Sequence, residues 1–247
     1  CRRVENMIDF EKKSSYGVED LREIVRILRA PGGCPWDREQ DHHSIRRCFL
    51  EETAEACEAI DENDAPHLQE ELGDVLYQVV FHADLEREAG RFSMDDVIDG
   101  ICKKLIARHP FLFGASGAAR PDETQALEGW EARKRELRGN PTIAAQMRDV
   151  CKTLPGLWRA EKLCKKAATL DPQTVQTAAA QLADAHTALQ AACAAGQDAG
   201  AQLGTLLFSA AQLAQCLSLD PEQYLHAACE DYMRQITARE SIAQTQK

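Results

Sequence analysis

Hydrophobic residues along the chain recur mostly at the spacing of three and four residues that is typical of amphipathic helices. No stretch shows the sustained polar and apolar alternation of a half-buried strand. The first helix is predicted over residues 18–30, and the second from about residue 44 to residue 60. The apolar stripe of this second helix consists of Leu50, Ala54, Cys57 and Ile60. The pattern therefore predicts an all-α protein.

Capping residues mark the next two helices. Asp64 is the predicted N-cap of a third helix, which ends before Gly90 because glycine favours the position just after a helix. Ser93, with Asp96 three residues later, resembles a capping box and opens a fourth helix that ends before His109. The first half of the chain thus contains four predicted helices.

The second half of the chain weakly repeats the first. Residues 71–77, Glu-Leu-Gly-Asp-Val-Leu-Tyr, align with residues 202–208, Gln-Leu-Gly-Thr-Leu-Leu-Phe. A charged helix and a hinge at residues 139–141 separate the two copies. We therefore expect two four-helix units in tandem, residues 1–138 and residues 139–247.

Composition narrows the class of protein. The chain of 247 residues is 44% hydrophobic and 28% charged, which is typical of a soluble globular protein. Its net charge of -11 disfavours nucleic acid or an anionic membrane surface as a partner, because both would require clustered lysine and arginine. The uncharged stretch from Ala199 to Leu219 contains too many glutamine, serine and threonine residues for a membrane span.

The cysteine pattern indicates the compartment. The ten cysteines fall at irregular spacings without a Cys-x-x-Cys pair, which favours free thiols in a reducing environment over a disulfide framework. The first six residues, Cys-Arg-Arg-Val-Glu-Asn, lack the apolar core of a signal peptide. These features predict a cytoplasmic protein.

Acidic residues cluster on the second predicted helix. Glu51, Glu52, Glu55 and Glu58 fall within one arc beside the apolar stripe, where like charges repel one another. One interpretation is a solvated acidic face that is paired with Arg46 and Arg47. The other is a site that binds a cation.

The third predicted helix favours the cation. Asp74 is the only carboxylate between Leu72 and Ala83, so we expect it to be partly desolvated, and Glu71 lies one turn earlier on the same side. Taken alone, this pair could be structural. Carboxylates from two helices can converge on a hard divalent cation, and a carboxylate set without histidine favours Mg²⁺, with Mn²⁺ as a substitute.

Other chemistries have weaker support. The sequence contains no His-Glu-x-x-His motif, no zinc-type cysteine pairs and no P-loop. Lys104 and Arg108 lie one turn apart on the fourth helix and could hold a phosphate, or could simply complement the helix dipole. Trp36 and Trp130 could stack on a base, or could serve in packing.

Several of these motifs together resemble the MazG family of nucleoside triphosphate pyrophosphohydrolases. They are Gly33-Cys34-Pro35-Trp36-Asp37, Glu51-Glu52-x-x-Glu55, Glu71-x-x-Asp74 and the stretch from Lys104 to Phe113 with Arg108-His109-Pro110. The resemblance extends through Trp130 and Lys134 and, more faintly, through residues 154–168. It is strong over residues 31–134, and the combined motif is specific although a single carboxylate pair is not.

The resemblance implies an all-α enzyme that cleaves nucleoside triphosphates between the α- and β-phosphates, and that forms a homodimer. By position, it implies Mg²⁺ ligands at Glu52, Glu55, Glu71 and Asp74, with Glu51 supporting or activating water. It implies phosphate contacts from Lys104 and Arg108, and closure over the nucleotide by Trp130 and Lys134. Preference for a base or a sugar does not follow from these residues.

The two sequence copies differ in their acids. Gln202 and Thr205 stand where the first copy has Glu71 and Asp74, and Ala188 stands at the position of Glu55. Neutral side chains cannot offset the charge of divalent cations, so we expect the second unit to be a scaffold or a dimerisation unit. A competing interpretation of the whole chain is a non-catalytic helical interaction or regulatory protein that retains the bundle.

Overall fold

The computed structural model describes residues 10–114, 121–139 and 142–245. Within these ranges it contains α-helices and no strand, which confirms the all-α prediction. Asn140 and Pro141 of the predicted hinge and the first six residues lie outside the described ranges. No helix in the described part of the chain is long and apolar enough to cross a membrane.

Contacts divide the chain into two compact units, with the division between Ala126 and Leu127. The tandem arrangement agrees with the two predicted units, and the exact boundary after residue 138 stays a prediction. The helices of the first unit are α1 (Val18–Arg29), α2 (Pro35–Glu39), α3 (Arg46–Glu62), α4 (Ala65–Glu88), α5 (Met94–Arg108) and α6 (Pro110–Phe113). They are followed by α7 (Glu123–Arg138), α8 (Ile143–Arg148), α9 (Gly156–Ala167), α10 (Val175–Ala194), α11 (Gly200–Cys216) and α12 (Pro221–Thr245).

The centre of the first unit is the pair formed by α3 and α4. Asn63 ends α3 in the left-handed region with φ 57°, and Asp64 caps α4 by accepting a hydrogen bond from His67 N at 3.1 Å. This two-residue connection makes the two helices antiparallel neighbours. Helix α4 also packs against α1 and α5.

The core of the first unit is small and lies where α1 and the start of α3 meet α4. Val25, Ile45, Val80 and Phe81 are its buried residues. Arg29 lies over the Phe81 ring, with its guanidinium carbon 4.9 Å from the ring centroid. The core therefore fixes the middle and the C-terminal half of α4 and leaves its first turns to contact α3.

The predicted apolar stripe of α3 is wrong as a core face. Leu50 and Ile60 are 52% and 55% exposed, and Ala54 and Cys57 are exposed as well. The buried residues of this helix are instead Ala56 and Ala59. Small side chains let α3 approach α4 closely, and the larger apolar residues remain on the surface of the single chain.

The second unit repeats the helix contacts of the first. Helices α10 and α11 form its central pair, and α9 and α12 pack against α11. Ala178, Ala185 and Ala192, seven residues apart on α10, are buried. Helix α11 covers most of the uncharged stretch from Ala199 to Leu219, and Leu203, Leu207 and Phe208 are exposed, so only part of this helix is buried.

Candidate metal centre

Carboxylates of α3 and α4 meet near the hairpin end of the pair. Oxygen atoms of Glu52, Glu55 and Glu71 all lie within 4.8 Å of one another. On α3 the two glutamates are three residues apart and share one side of the helix, while Glu71 approaches from α4. The structure thus brings together three of the four residues predicted to bind metal.

These carboxylates differ in burial. Glu71 is buried, with 8% exposure, Glu52 is half-buried and Glu55 is exposed. His67, one turn earlier on α4, places its Nε2 atom 3.2 Å from Glu71 Oε1. The sequence interpretation missed His67, although its spacing of four residues from Glu71 could have indicated the contact.

The neighbouring acids are close enough to Glu52 to change its pKa. Burial raises its pKa, and the nearby negative charges of Asp74, Glu55 and Glu71 raise it further. The fourth predicted ligand, Asp74, is therefore close enough to act on Glu52. Its side chain is exposed, however, so the expectation that Asp74 is desolvated was wrong. Glu71, rather than Asp74, faces the α3–α4 contact.

The donor set suits a hard divalent cation. Carboxylate oxygens are the preferred ligands of Mg²⁺ and Mn²⁺, and oxygens this close together repel one another unless a cation or protons lie between them. A cation held here would relieve the repulsion that raises the pKa of Glu52. The residues present therefore fit a magnesium-type ion.

Glu51 does not belong to the three-carboxylate cluster. Its Oε1 atom accepts a hydrogen bond from Arg47 Nε at 2.7 Å, one turn earlier on α3. The predicted pairing of an acidic face with Arg47 is thus observed for this residue alone. Its predicted role in water activation is a separate matter and stays a prediction.

Trp36 lies on α2, a short helix in a region without a sequence-predicted helix. Trp36 is 59% exposed, while the next residue, Asp37, is buried. Tyr77 on α4 donates a hydrogen bond to Asp37 Oδ1 at 3.2 Å, and burial, followed by the charge of Asp37, raises the pKa of Tyr77. Because Tyr77 is three residues after Asp74, this bond anchors α2 about one helical turn from the acids.

The predicted phosphate and nucleotide residues lie on other helices. Lys104 is exposed and Arg108 half-buried near the C-terminal end of α5, one turn apart as predicted. On α7, Lys134 Nζ lies 4.6 Å from the centroid of the Trp130 ring, a cation–π contact within the helix. Lys104 and Arg108 thus form one pair on α5, and Trp130 and Lys134 form a second pair on α7.

Comparison with known proteins identifies the region that carries the acids. Residues 40–113 match the MazG nucleotide pyrophosphohydrolase domain. The chain is 33% identical over 237 residues to "Nucleoside triphosphate pyrophosphohydrolase/pyrophosphatase MazG" of Thermotoga maritima, covering 94% of this chain and 88% of that protein. It is 35% identical over 233 residues to "Nucleoside triphosphate pyrophosphohydrolase" of Escherichia coli K12, covering 91% and 88%.

A further relative extends well beyond this chain. YabN of Bacillus subtilis is 43% identical over 155 residues, which are 63% of this chain. The match spans only 31% of the length of YabN. The relatives that match this chain therefore differ in total length.

Proposed function

The chain belongs to the MazG nucleotide pyrophosphohydrolase family, and we propose that it hydrolyses nucleoside triphosphates to a nucleoside monophosphate and pyrophosphate. The observation that carries this proposal is the convergence of Glu52, Glu55 and Glu71 within 4.8 Å. A triphosphate is highly anionic, so an acidic site can accept it only together with cations. The names of the Thermotoga and Escherichia relatives support the same reaction.

The proposed cofactor is Mg²⁺, with Mn²⁺ as a substitute. Glu52, Glu55, Glu71 and Asp74 would hold it. When bound, such an ion neutralises phosphate charge, lowers the pKa of coordinated water and stabilises the charge that develops on pyrophosphate. The chain contributes a fixed set of carboxylates, of which Glu71 is held by burial and by His67.

Other residues of the chain have distinct proposed roles. Glu51 lies beside Glu52 and would accept a proton from the attacking water, a role that requires release from Arg47. Lys104 and Arg108 would bind phosphate oxygens. Trp36, exposed on a helix anchored to α4, would stack on the nucleotide, and Trp130 with Lys134 would close over it.

We also propose that the protein is a homodimer. Leu72 and Leu76 on α4, and Ile98, Ile101 and Leu105 on α5, are large apolar residues exposed by at least 36% in the single chain. The exposed stripe of α3 adds to this area. Surfaces of this kind mark contacts with another protein, and a second copy would cover both helices and complete the surroundings of the acids.

The acidic net charge of -11 supports a cytoplasmic protein with no nucleic-acid or membrane partner, and these assignments are part of the proposal. A base or sugar preference is left open by the site, because carboxylates and cations recognise phosphate rather than a base. A panel of common and damaged triphosphates would define it.

The test is release of pyrophosphate from a mixture of nucleoside triphosphates by the full chain, with Mg²⁺ or with a chelator. We expect pyrophosphate and monophosphate in equal amounts with Mg²⁺, and neither product with the chelator. The competing candidate is a non-catalytic helical interaction protein, which the many exposed apolar residues would also suit. Absence of product from every common and damaged nucleotide would favour that candidate.

A further inference from the structure

A cavity of about 430 Å³ lies on the first unit, outside the carboxylate cluster. Its size falls within the range of about 300–1,000 Å³ that is usual for small-molecule sites. Phe49, Phe92 and Val97 contribute apolar walls, while His82 and Arg46 contribute nitrogen atoms. The lining is therefore mostly apolar, with basic side chains among its residues, unlike the acidic centre.

The cavity is displaced from the acids along the axes of α3 and α4. On α4, the lining residue His82 follows Glu71 by eleven residues, about 16 Å along the helix. On α3, the lining residue Arg46 precedes Glu52 by six residues, about 9 Å along the helix. The cavity therefore lies toward the C-terminal half of α4, away from the carboxylate cluster.

A chain of hydrogen bonds runs along the cavity wall. Arg91 donates from its terminal nitrogen to Glu86 Oε1 at 2.7 Å, and His42 Nε2 lies 2.6 Å from the same oxygen. These partners, first Arg91 and then His42, lower the pKa of Glu86 to about 2, so this carboxylate is ionised and can only accept. His42 Nε2 therefore carries a proton.

The next bond of the chain links two histidines. His42 Nδ1 and His82 Nδ1 are 2.7 Å apart, the ring centroids are 5.0 Å apart and the ring planes differ by 3°. The two nitrogens thus face each other end on in nearly coplanar rings, with one proton between them. Burial, followed by His42, lowers the pKa of His82 and favours the neutral form of this histidine.

The bond to His42 leaves one ring nitrogen of His82 for a ligand. His82 uses its Nδ1 atom in the contact with His42, so only its Nε2 atom can form a further hydrogen bond. Within the described ranges, this Nε2 atom makes no hydrogen bond to another residue. The cavity wall thus presents an oriented polar ring atom to a ligand.

Arg46 supplies the positive charge. It is exposed and has no acidic partner within the described ranges, whereas its neighbour Arg47 pairs with Glu51. The only acid in the cavity lining, Glu86, is already neutralised by Arg91 and bonded to His42. An anion near Arg46 would therefore meet an uncompensated cation.

We propose that this cavity binds a mononucleotide, with the base against Phe49 and Phe92, a hydrogen bond to His82 Nε2 and the phosphate at Arg46. Aromatic walls offer stacking area to a heterocycle. His82 Nε2 selects a ring or sugar that carries a polar group, and the guanidinium selects an anionic arm. The site is separate from the proposed hydrolysis and does not depend on it.

The test is calorimetric titration of the full-length protein with the four common nucleoside monophosphates, in the presence of a chelator so that no divalent cation can recruit phosphate to the acids. We expect at least one monophosphate to bind, with the matching nucleoside and inorganic phosphate each binding roughly tenfold more weakly, because each lacks one recognised group. Arg46→Gln and Phe92→Ala should each weaken binding by about tenfold. Both residues are exposed, so both variants should fold.

Matched controls separate the possible sites. Arg47→Gln removes the neighbouring charge, and Asp74→Asn alters the acidic centre; neither should change monophosphate affinity. The proposal is overturned if no monophosphate binds at millimolar concentration, if phosphate alone binds as well as the nucleotide, or if Asp74→Asn abolishes binding while Arg46→Gln does not. Pyrophosphate release is measured separately, so failure of hydrolysis leaves these expectations unchanged.

Discussion

The two units have the same central arrangement of helices, but among the residues that the structure describes only the first has a cluster of acids that could hold a metal ion. At the positions of Glu71 and Asp74 in α4, helix α11 has Gln202 and Thr205, and the Thr205 hydroxyl donates to the carbonyl of Ala201 in its own helix at 3.1 Å. Ala185, near the position of Glu52, is buried in the α10–α11 contact. The second unit has therefore replaced charge with close packing.

In contrast to the acids, exposed apolar residues are present at aligned positions in both units. Leu72 and Leu76 are 54% and 36% exposed, and the aligned Leu203 and Leu207 are 47% and 49% exposed. A helix face that is exposed in both copies is more consistent with a shared contact surface than with chance. Exposed apolar residues are thus present at aligned positions of both units, whereas the acids Glu71 and Asp74 have neutral counterparts in the second unit.

The largest effect should come from removing the charge of Asp74. The matched change is made at the aligned residue of the second unit, Thr205. Asp74→Asn, which is nearly isosteric, should lower pyrophosphate release by about 100-fold, while Thr205→Val should leave it within about twofold. Helical content and the melting temperature of Asp74→Asn should stay at or above wild type, because one crowded negative charge is removed. Pyrophosphate release and circular dichroism measure these effects.

Glu58→Gln is the control for general loss of acidity, since Glu58 lies on α3 outside the cluster. Near-normal turnover of Asp74→Asn at saturating Mg²⁺ would remove Asp74 from the metal site. A large loss in Thr205→Val would instead mean that the second unit takes part in turnover.

A smaller effect is expected from the basic residues of α5, which align less securely with Asp231 and Gln235 on α12. Lys104→Ala and Arg108→Ala should each lower triphosphate turnover by roughly 10-fold while Mg²⁺ affinity stays unchanged, because their proposed partner is phosphate. Calorimetry with Mg²⁺ alone, beside a turnover assay, separates the two roles. Collapse of metal affinity in either variant would contradict this division.

Substitution of the exposed apolar residues should weaken dimerisation. The change in the free energy of dimerisation should be smaller than the effect of Asp74→Asn on turnover. Leu76→Asp should weaken dimerisation, since a charge would be buried in an apolar contact. Leu207→Asp is the aligned change in the second unit. Analytical ultracentrifugation over a range of concentrations gives both dissociation constants. A wild-type protein that stays monomeric at every concentration would rule out the homodimer.

The smallest effect concerns the contact that holds the helix following the central pair in each unit, which is α5 in the first unit and α12 in the second. In the second unit, Trp158 Nε1 donates to Asp220 Oδ1 at 2.7 Å, next to the start of α12. In the first, Arg22 on α1 forms two hydrogen bonds with Asp95, in the first turn of α5. Trp158→Phe should lower the free energy of unfolding by about 1 kcal/mol, the usual net value of one hydrogen bond.

Thermal unfolding of Trp158→Phe, read by circular dichroism, checks this value. Arg22→Gln is the matched change in the first unit and should lower the melting temperature further, because it loses two charge-assisted bonds. An unchanged melting temperature in Trp158→Phe would show that the Asp220 bond contributes nothing to stability.

Much of the fold could be predicted because its signals are local. The cap at Asp64 and the capping box of Ser93 and Asp96 were predicted and are observed, since the bonded atoms are three residues apart. The short helix α2 was missed, because five residues give too little periodicity to recognise. The face of α3 that contacts α4 was also missed, because hydrophobicity alone favoured the larger side chains of Leu50 and Ile60.

The candidate site also has some features that could be predicted from the sequence and others that could not. Carboxylate spacing predicted acids on one side of α3 and a second pair, Glu71 and Asp74, on α4. The ligand set itself was implied by the MazG resemblance, and three of its four members, Glu52, Glu55 and Glu71, converge in the structure. Sequence could not show that Glu71 is buried and Asp74 exposed, since that depends on the rotation of α4 against α3. It also gave no indication of the bond between Tyr77 and Asp37, whose partners are 40 residues apart.

By itself, the sequence determined the helices, their caps, the acids that share a helix face and the loss of those acids in the second copy. Each of these depends on residues within one or two helical turns. Only the tertiary structure decided which acids are buried, which apolar residues stay exposed and how His42 comes to face His82 across 40 positions of chain. Those properties arise from the packing of one helix on another, where small rotations and the size of a few alanines decide which side chains meet.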